Sequence, residues 1–142
     1  MNIPDECIET RNDRLIVTEE EKRKLVIDNP AMKTVRRIAV DRCVFKGDST
    51  SKRCDYILEI SVPLQSVFYL ELKGSKIDHG IEQLAVTLGH FRERHGDATK
   101  KCILVASKVP SLSADTQARK DRFYRTHRVE IEIKRLQHRV TI

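Results

Sequence analysis

The sequence predicts an α/β fold in a single domain of 142 residues, with a mixed central sheet flanked by helices. Three observations predict it. Hydrophobic periodicity gives the order helix, strand, strand, strand, helix, strand, helix, strand, which suits a mixed sheet with helices packed on it. Residues 54–60 and 67–73 alternate apolar and polar side chains on either side of Pro63, as the two arms of a hairpin do. Residues 102–106 form an unbroken apolar run, expected of a central strand buried on both faces with helices on either side.

Each element follows from local chemistry. Residues 1–14 are polar and irregular and read as a flexible arm. Thr18-Glu19-Glu20-Glu21 reads as an N-cap followed by a capping-box glutamate, opening a short helix that ends before Asn29-Pro30. Residues 33–45 carry Val35, Ile38, Val40 and Val44 and read as a strand. Gly47-Asp48-Ser49-Thr50-Ser51 is a turn cluster. The two hairpin strands follow, rich in β-branched and aromatic residues. Ile77, Ile81, Leu84, Leu88 and Phe91 recur at three- and four-residue spacing and predict an amphipathic helix over about 76–94. A strand over 101–109 comes next, then a basic helix opened by Ser113, then a strand over 129–133. The alternation slips by one at Arg135-Leu136, which predicts a bulge or second turn there. There are no internal repeats.

Composition bounds the partners. Hydrophobic residues make up 39% of the chain and charged residues 34%, with a formal net charge of +6. The sequence pI is about 9.3. A basic surface concentrates polyanions around it, so nucleic acid is the favoured partner. The longest apolar run is five residues, far short of a membrane span or a signal-peptide core, which leads to the expectation of a cytoplasmic protein with no membrane partner. The cysteines Cys7, Cys43, Cys54 and Cys102 include no CxxC pair, which argues against structural zinc. Without an export signal disulfides are not expected, so Cys43, Cys54 and Cys102 read as buried thiols. His79, His90 and His95 form no ligand pair at helical spacing and read as surface residues.

The informative constellation is Asp55 with Glu71-Leu72-Lys73. A hairpin symmetric about Pro63 places Asp55 opposite Glu71, Ile57 opposite Tyr69 and Glu59 opposite Val67. Period-two alternation then puts Asp55, Glu71 and Lys73 on one face. Tyr56, Leu58, Ile60, Phe68, Leu70 and Leu72 take the other face, a core surface. A solvated strand face would carry the same residue types. Like charges directly opposite are nonetheless disfavoured by a few tenths of a kcal/mol to about 1. Two carboxylates beside an ammonium are suited to holding a divalent metal next to a phosphate.

The motif Asp55…Glu71-Leu72-Lys73, followed by a strand-breaking Gly74 and a helix bearing Gln83, resembles the PD-(D/E)XK nuclease superfamily. The match covers about residues 53–105, with Cys54 where the motif's name has proline. The resemblance implies a restriction-endonuclease-like α-β-β-β-α-β core and Mg²⁺ or Mn²⁺ held by Asp55, Glu71 and the Leu72 carbonyl. It assigns Lys73 to orienting the attacking water or stabilising charge on phosphorus, and Gln83 to positioning water or phosphate. Glu20, Glu21 or Asp41 are candidates for a further carboxylate. The expected activity is endonucleolytic hydrolysis with low intrinsic sequence specificity, on DNA before RNA. The chain would work as a homodimer or as a subunit of a defence, repair or mobile-element assembly. Arg119, Lys120, Arg122 and Arg125, with further cations toward the C-terminus, form the expected phosphate-contacting surface. The competing readings are a non-catalytic nucleic-acid-binding module and an interaction subunit whose 129–133 strand pairs with a partner's sheet.

Overall fold

A computed structural model describes residues 2–45, 53–72, 76–109 and 114–142. In chain order it contains β1 (Ile8–Arg11), β2 (Leu15–Glu20), β3 (Arg23–Asp28), β4 (Val35–Ala39), β5 (Tyr56–Ile60), β6 (Ser66–Glu71), α1 (Ile77–His90), α2 (Arg92–His95), β7 (Thr99–Ala106), α3 (Ala114–His127), β8 (Glu130–Arg135) and β9 (Gln137–Thr141). Six strands form a mixed sheet in the order β1-β4-β5-β6-β7-β8, and β2-β3-β9 form a second sheet of three. Pairing is antiparallel from β1 through β6 and parallel from β6 to β8.

Strand alternation explains how the layers assemble. β5 and β6 pair Ile57 with Tyr69 and Glu59 with Val67, the register expected from symmetry about Pro63. Ile57, Val67, Tyr69, Cys102, Leu104 and Ile131 turn to one side, where Ile77, Leu84 and Leu88 of α1 and Phe123 of α3 cover them. Leu58, Leu70, Leu72, Ile103 and Val105 turn to the other side and pack on Ile16, Leu25 and Ile27 of the small sheet, with Val140 and Ile142. The central sheet thus has helices on one face and a second sheet on the other, where the sequence suggested helices on both. Each fully buried Leu or Ile contributes about 1.5–3 kcal/mol, so both interfaces contribute substantially to the core.

The expected helix beginning at Thr18 is instead the β2–β3 hairpin, turning at Glu21 with φ 54°. Ile16, Thr18 and Glu20 are buried and their neighbours exposed, a period of two that outweighs the cap-like Thr-Glu-Glu-Glu. Residues 5–11, expected within an irregular arm, form a short 3₁₀ turn and β1, and β1 pairs with β4. A Cys7–Cys43 disulfide ties that turn down, so Cys43 is not a free thiol. Cys54 and Cys102 are free and buried as expected, and burial pushes both thiols up. The strand expected over 33–45 stops at Ala39, and Val40–Val44 form a single π-type turn. The slip at Arg135-Leu136 is a real turn: Leu136 has φ 64°, and the chain passes from β8 into the other sheet to run parallel to β3. The 47–51 turn cluster, Lys73, Gly74 and Ser113 lie outside the described residues.

α1 approaches β7 closely at Gly80, where an added Cβ would sit 2.7 Å from Cδ1 of the buried Leu104, whereas Gly89 on the same helix faces open space. Gly80→Ala is expected to lower stability by about 1–2 kcal/mol through overpacking. Gly89→Ala is expected to raise it by up to about 0.5 kcal/mol through helix propensity. Thermal melts of the two variants check the contrast, and equal shifts would contradict this packing.

Candidate metal and nucleic-acid site

The β5–β6 ladder ends at Tyr56 opposite Leu70. One step further on stand Asp55, just before β5, and Glu71, the last residue of β6, both buried, 5% and 0% exposed respectively. Backbone geometry fixes Asp55: its amide donates to Leu70 O at 3.1 Å, and its carbonyl accepts from Val40 N at 3.0 Å. Its carboxylate Oδ2 accepts the Leu72 amide at 2.9 Å, taking over that donor where the ladder stops. Both carboxylates act on the nearby Cys54 thiol, adding to the upward shift that burial imposes.

α1 is stitched to this strand end. Gln83 Nε2 donates to Arg53 O at 3.0 Å, and the Cys54 amide donates to Thr87 Oγ1 at 2.9 Å. The Gln83 amide nitrogen therefore holds the helix against the start of β5. Arg53 is itself buried, with its guanidinium 3.6 Å from the centre of the Phe45 ring. The sequence reading missed it, although its position two before Asp55 gives it the same parity.

Leu72 does not fit its expected role. Its carbonyl accepts the Nε–H of Arg23, whose Nη1 also donates to Ser107 Oγ at 2.6 Å. A guanidinium at that oxygen disfavours a metal cation beside it. Arg23 ties the ends of β6 and β7 together from the small sheet, and no sequence signal marked it because its segment read as helix.

Of the candidates for a further carboxylate, Glu20 is buried and paired with Arg42. It lies near Tyr56, which belongs to the opposite face from Asp55; burial raises the Tyr56 hydroxyl pKa and the Glu20 carboxylate adds to the rise. Glu19, Glu20, Glu21, Arg23, Arg42 and Tyr56 line a crevice of about 450 Å³. Glu21 is exposed and pairs with Arg23 at 3.1 Å, while Asp41 lies half-buried in the π-type turn. No group of three His, Cys, Asp or Glu side chains suited to a metal occurs among the described residues. Asp55 and Glu71 nonetheless make an oxygen-only donor pair of the kind a hard divalent cation takes together with waters and substrate phosphate.

The expected phosphate-contacting cations divide across α3. Arg119 and Arg122 line the crevice toward α1, where Arg119 pairs with Asp78 at 2.9 Å. Lys120 and Arg125 line a groove beside β8 together with Asp121, Glu130 and Glu132. They are two patches, each with carboxylates nearby.

A second polar cluster lies near the turn end of β5 and β6. Glu59, 1% exposed, accepts from Arg94 at 2.8 and 3.1 Å, pairs with Arg36 at 3.1 Å, and lies 2.7 Å from His95 Nε2. Nδ1 of His95 meets the Tyr69 hydroxyl, and Phe91 stacks on the imidazole. His95 is therefore a buried network member, whereas the sequence suggested a surface histidine; His79 and His90 are exposed.

No family model, curated protein or solved structure matches this chain. Among the described residues no helix is long and apolar enough to cross a membrane.

Proposed function

We propose that this chain is a small metal-dependent nuclease of the PD-(D/E)XK type that hydrolyses phosphodiester bonds, in DNA before RNA, with low sequence specificity. The observation that carries the reading is that Asp55 and Glu71 are both buried where the β5–β6 ladder ends, with the Asp55 amide bonded to Leu70 O. The antiparallel run β4-β5-β6, followed by α1 and the parallel strand β7, supports a restriction-endonuclease-like core. In that core the β2–β3 hairpin stands where the first helix was expected.

Mg²⁺ or Mn²⁺ held by Asp55 and Glu71 would supply Lewis-acid polarisation of the phosphate and a water of lowered pKa. The Leu72 amide holds one oxygen of the Asp55 carboxylate at the end of β6. Gln83 fixes α1 against the start of β5, so its first role is positioning. Lys73, outside the described residues, is assigned by the resemblance to the attacking water or the charge on phosphorus. The α3 cations Arg119, Lys120, Arg122 and Arg125 would contribute phosphate contacts on two sides of that helix. The protein would act in the cytoplasm as a homodimer or as part of a larger assembly, and there the Cys7–Cys43 bond would be exposed to reduction.

The test is supercoiled plasmid incubated with Mg²⁺ or Mn²⁺. Wild type is expected to nick or linearise it, and activity is expected to vanish in Glu71→Ala, in Lys73→Ala and with EDTA, with circular dichroism confirming that both variants fold. Equal cleavage by all three proteins overturns the assignment. A wild type inert on plasmid, RNA and branched DNA overturns it too, and favours a non-catalytic binding module.

A further inference from the structure

At the opposite end of the sheet, a pocket of about 410 Å³ opens between the end of α1, α2, the start of β7 and the α3–β8 junction. Its charged lining is entirely basic: Arg92, Lys100 and Arg128, with His127 beside them. No carboxylate lines it, and neither Arg92 nor Arg128 has a salt-bridge partner among the described residues. Lys100 Nζ donates to the carbonyls of Gly96 and Ala98, which hold the ammonium at the pocket. Arg128 adopts φ 56° at the turn out of α3, with its guanidinium 5.9 Å from the Tyr124 ring centre. Thr99 also lines it, and Leu88 and Val129 are among its apolar lining residues.

Three cations gathered in one concavity repel one another. A cleft lined by one sign of charge also focuses its field and concentrates counter-ions. The Arg fork matches the oxygens of a phosphate in geometry and charge. Burial and the positive charge of Arg92 both lower the His127 pKa, the direction that a bound anion would reverse. The pocket is distinct from the Asp55–Glu71 pair: Thr99 aligns with Ser66 and Leu104 with Glu71, a separation of roughly 17 Å along the strands.

We propose that this pocket binds a phosphate group, free or as a monoester, with Arg92, Lys100 and Arg128 around the phosphate and Leu88 and Val129 beside any group that carries it. The proposal does not depend on nuclease activity. Its test is an amide ¹H–¹⁵N titration of the whole chain with inorganic phosphate, adenosine monophosphate and adenosine. The phosphate-bearing probes are expected to give saturable shifts at Thr99, Lys100, Arg128 and Val129, and adenosine none. Tighter binding of the nucleotide than of inorganic phosphate would identify an organic monoester as the ligand, and equal binding would identify free phosphate. Arg92→Gln and Arg128→Gln should each weaken binding by about tenfold, the loss of one charge-assisted contact. Arg14→Gln, which removes an exposed charge elsewhere, should leave it unchanged. These side chains are exposed, and an otherwise unaltered spectrum shows that each variant folds. Shifts that do not saturate, weakening as large in Arg14→Gln, or perturbation by duplex DNA alone would each overturn the proposal.

Discussion

Glu59→Ala is expected to lower folding stability by about 3–5 kcal/mol, the range for removing one partner from a buried ionic network. In a domain of this size that corresponds to a fall in Tm of roughly 10 °C or more. The reason is the number of groups that converge on one carboxylate. Arg94 makes a two-point contact, Arg36 approaches from β4, and His95 is wholly buried against it. Arg94 and Arg36 keep partial access to water after the substitution, but His95 and the Tyr69 hydroxyl behind it do not. Glu59→Gln keeps an acceptor and should lose less. A Glu59→Ala melt within about 2 °C of wild type would mean that the network does not hold these elements together.

The same cluster predicts an acid limb in the stability profile. Burial alone would raise the Glu59 carboxyl, but hydrogen bonds from His95 and Arg94 outweigh it and hold the pKa at about 2, against an ordinary value of 4.5. A carboxyl depressed on folding stabilises the fold above its unfolded pKa, and that contribution fades as pH falls through 4.5 toward 2. The shift corresponds to about 3 kcal/mol between those limits. Denaturant unfolding of wild type should therefore weaken over that window, and the corresponding part of the slope should be missing in Glu59→Gln. Parallel curves for the two proteins would contradict the assignment.

How much of this was legible in the sequence depended on whether a signal was local. The β5–β6 register could be read because strict alternation and a centrally placed Pro63 leave one symmetric pairing, and the structure has that pairing. The burial of the central run 102–106 was legible for the same reason, although what covered its second face was not. The covering layer there is β2-β3-β9, assembled from chain segments more than 100 residues apart. Residues 18–21 satisfy a helix cap by type, and only the alternation over residues 15–20, set by packing on the central sheet, shows the strand. His95 looked like a surface residue because its partners Glu59 and Tyr69 lie on other elements. Arg23 was invisible for a related reason: its partner is the carbonyl of Leu72, 49 positions away. Long-range polar contacts leave no periodic trace in a sequence, and they are what the reading missed around the candidate site.

Asp55→Asn is expected to separate folding from activity at the proposed metal site. Asparagine keeps a side-chain oxygen able to accept the Leu72 amide, now made by Asp55 Oδ2 at 2.9 Å, so the splice between the strand ends should persist. The backbone bonds to Leu70 O and from Val40 N do not involve the side chain at all. Metal-free stability should therefore stay within about 1 kcal/mol of wild type, the scale of a single net hydrogen bond. What asparagine cannot supply is the second negative charge beside Glu71 that a divalent cation requires. Loss of several kcal/mol of metal-derived stabilisation predicts a fall in cleavage rate of about a thousandfold or more. Binding to the folded state alone also raises Tm, by about 2.7 kcal/mol of stability at a hundred times Kd. Wild type should show this rise with Mn²⁺ or Mg²⁺, and Asp55→Asn should not. Scanning calorimetry with and without metal, run beside the cleavage assay, reads both quantities on the same samples. A variant that stays active and keeps the metal-dependent rise would remove Asp55 from the site. A variant that loses the fold in metal-free buffer would instead make Asp55 a structural residue, whose contact with the Leu72 amide depends on its charge.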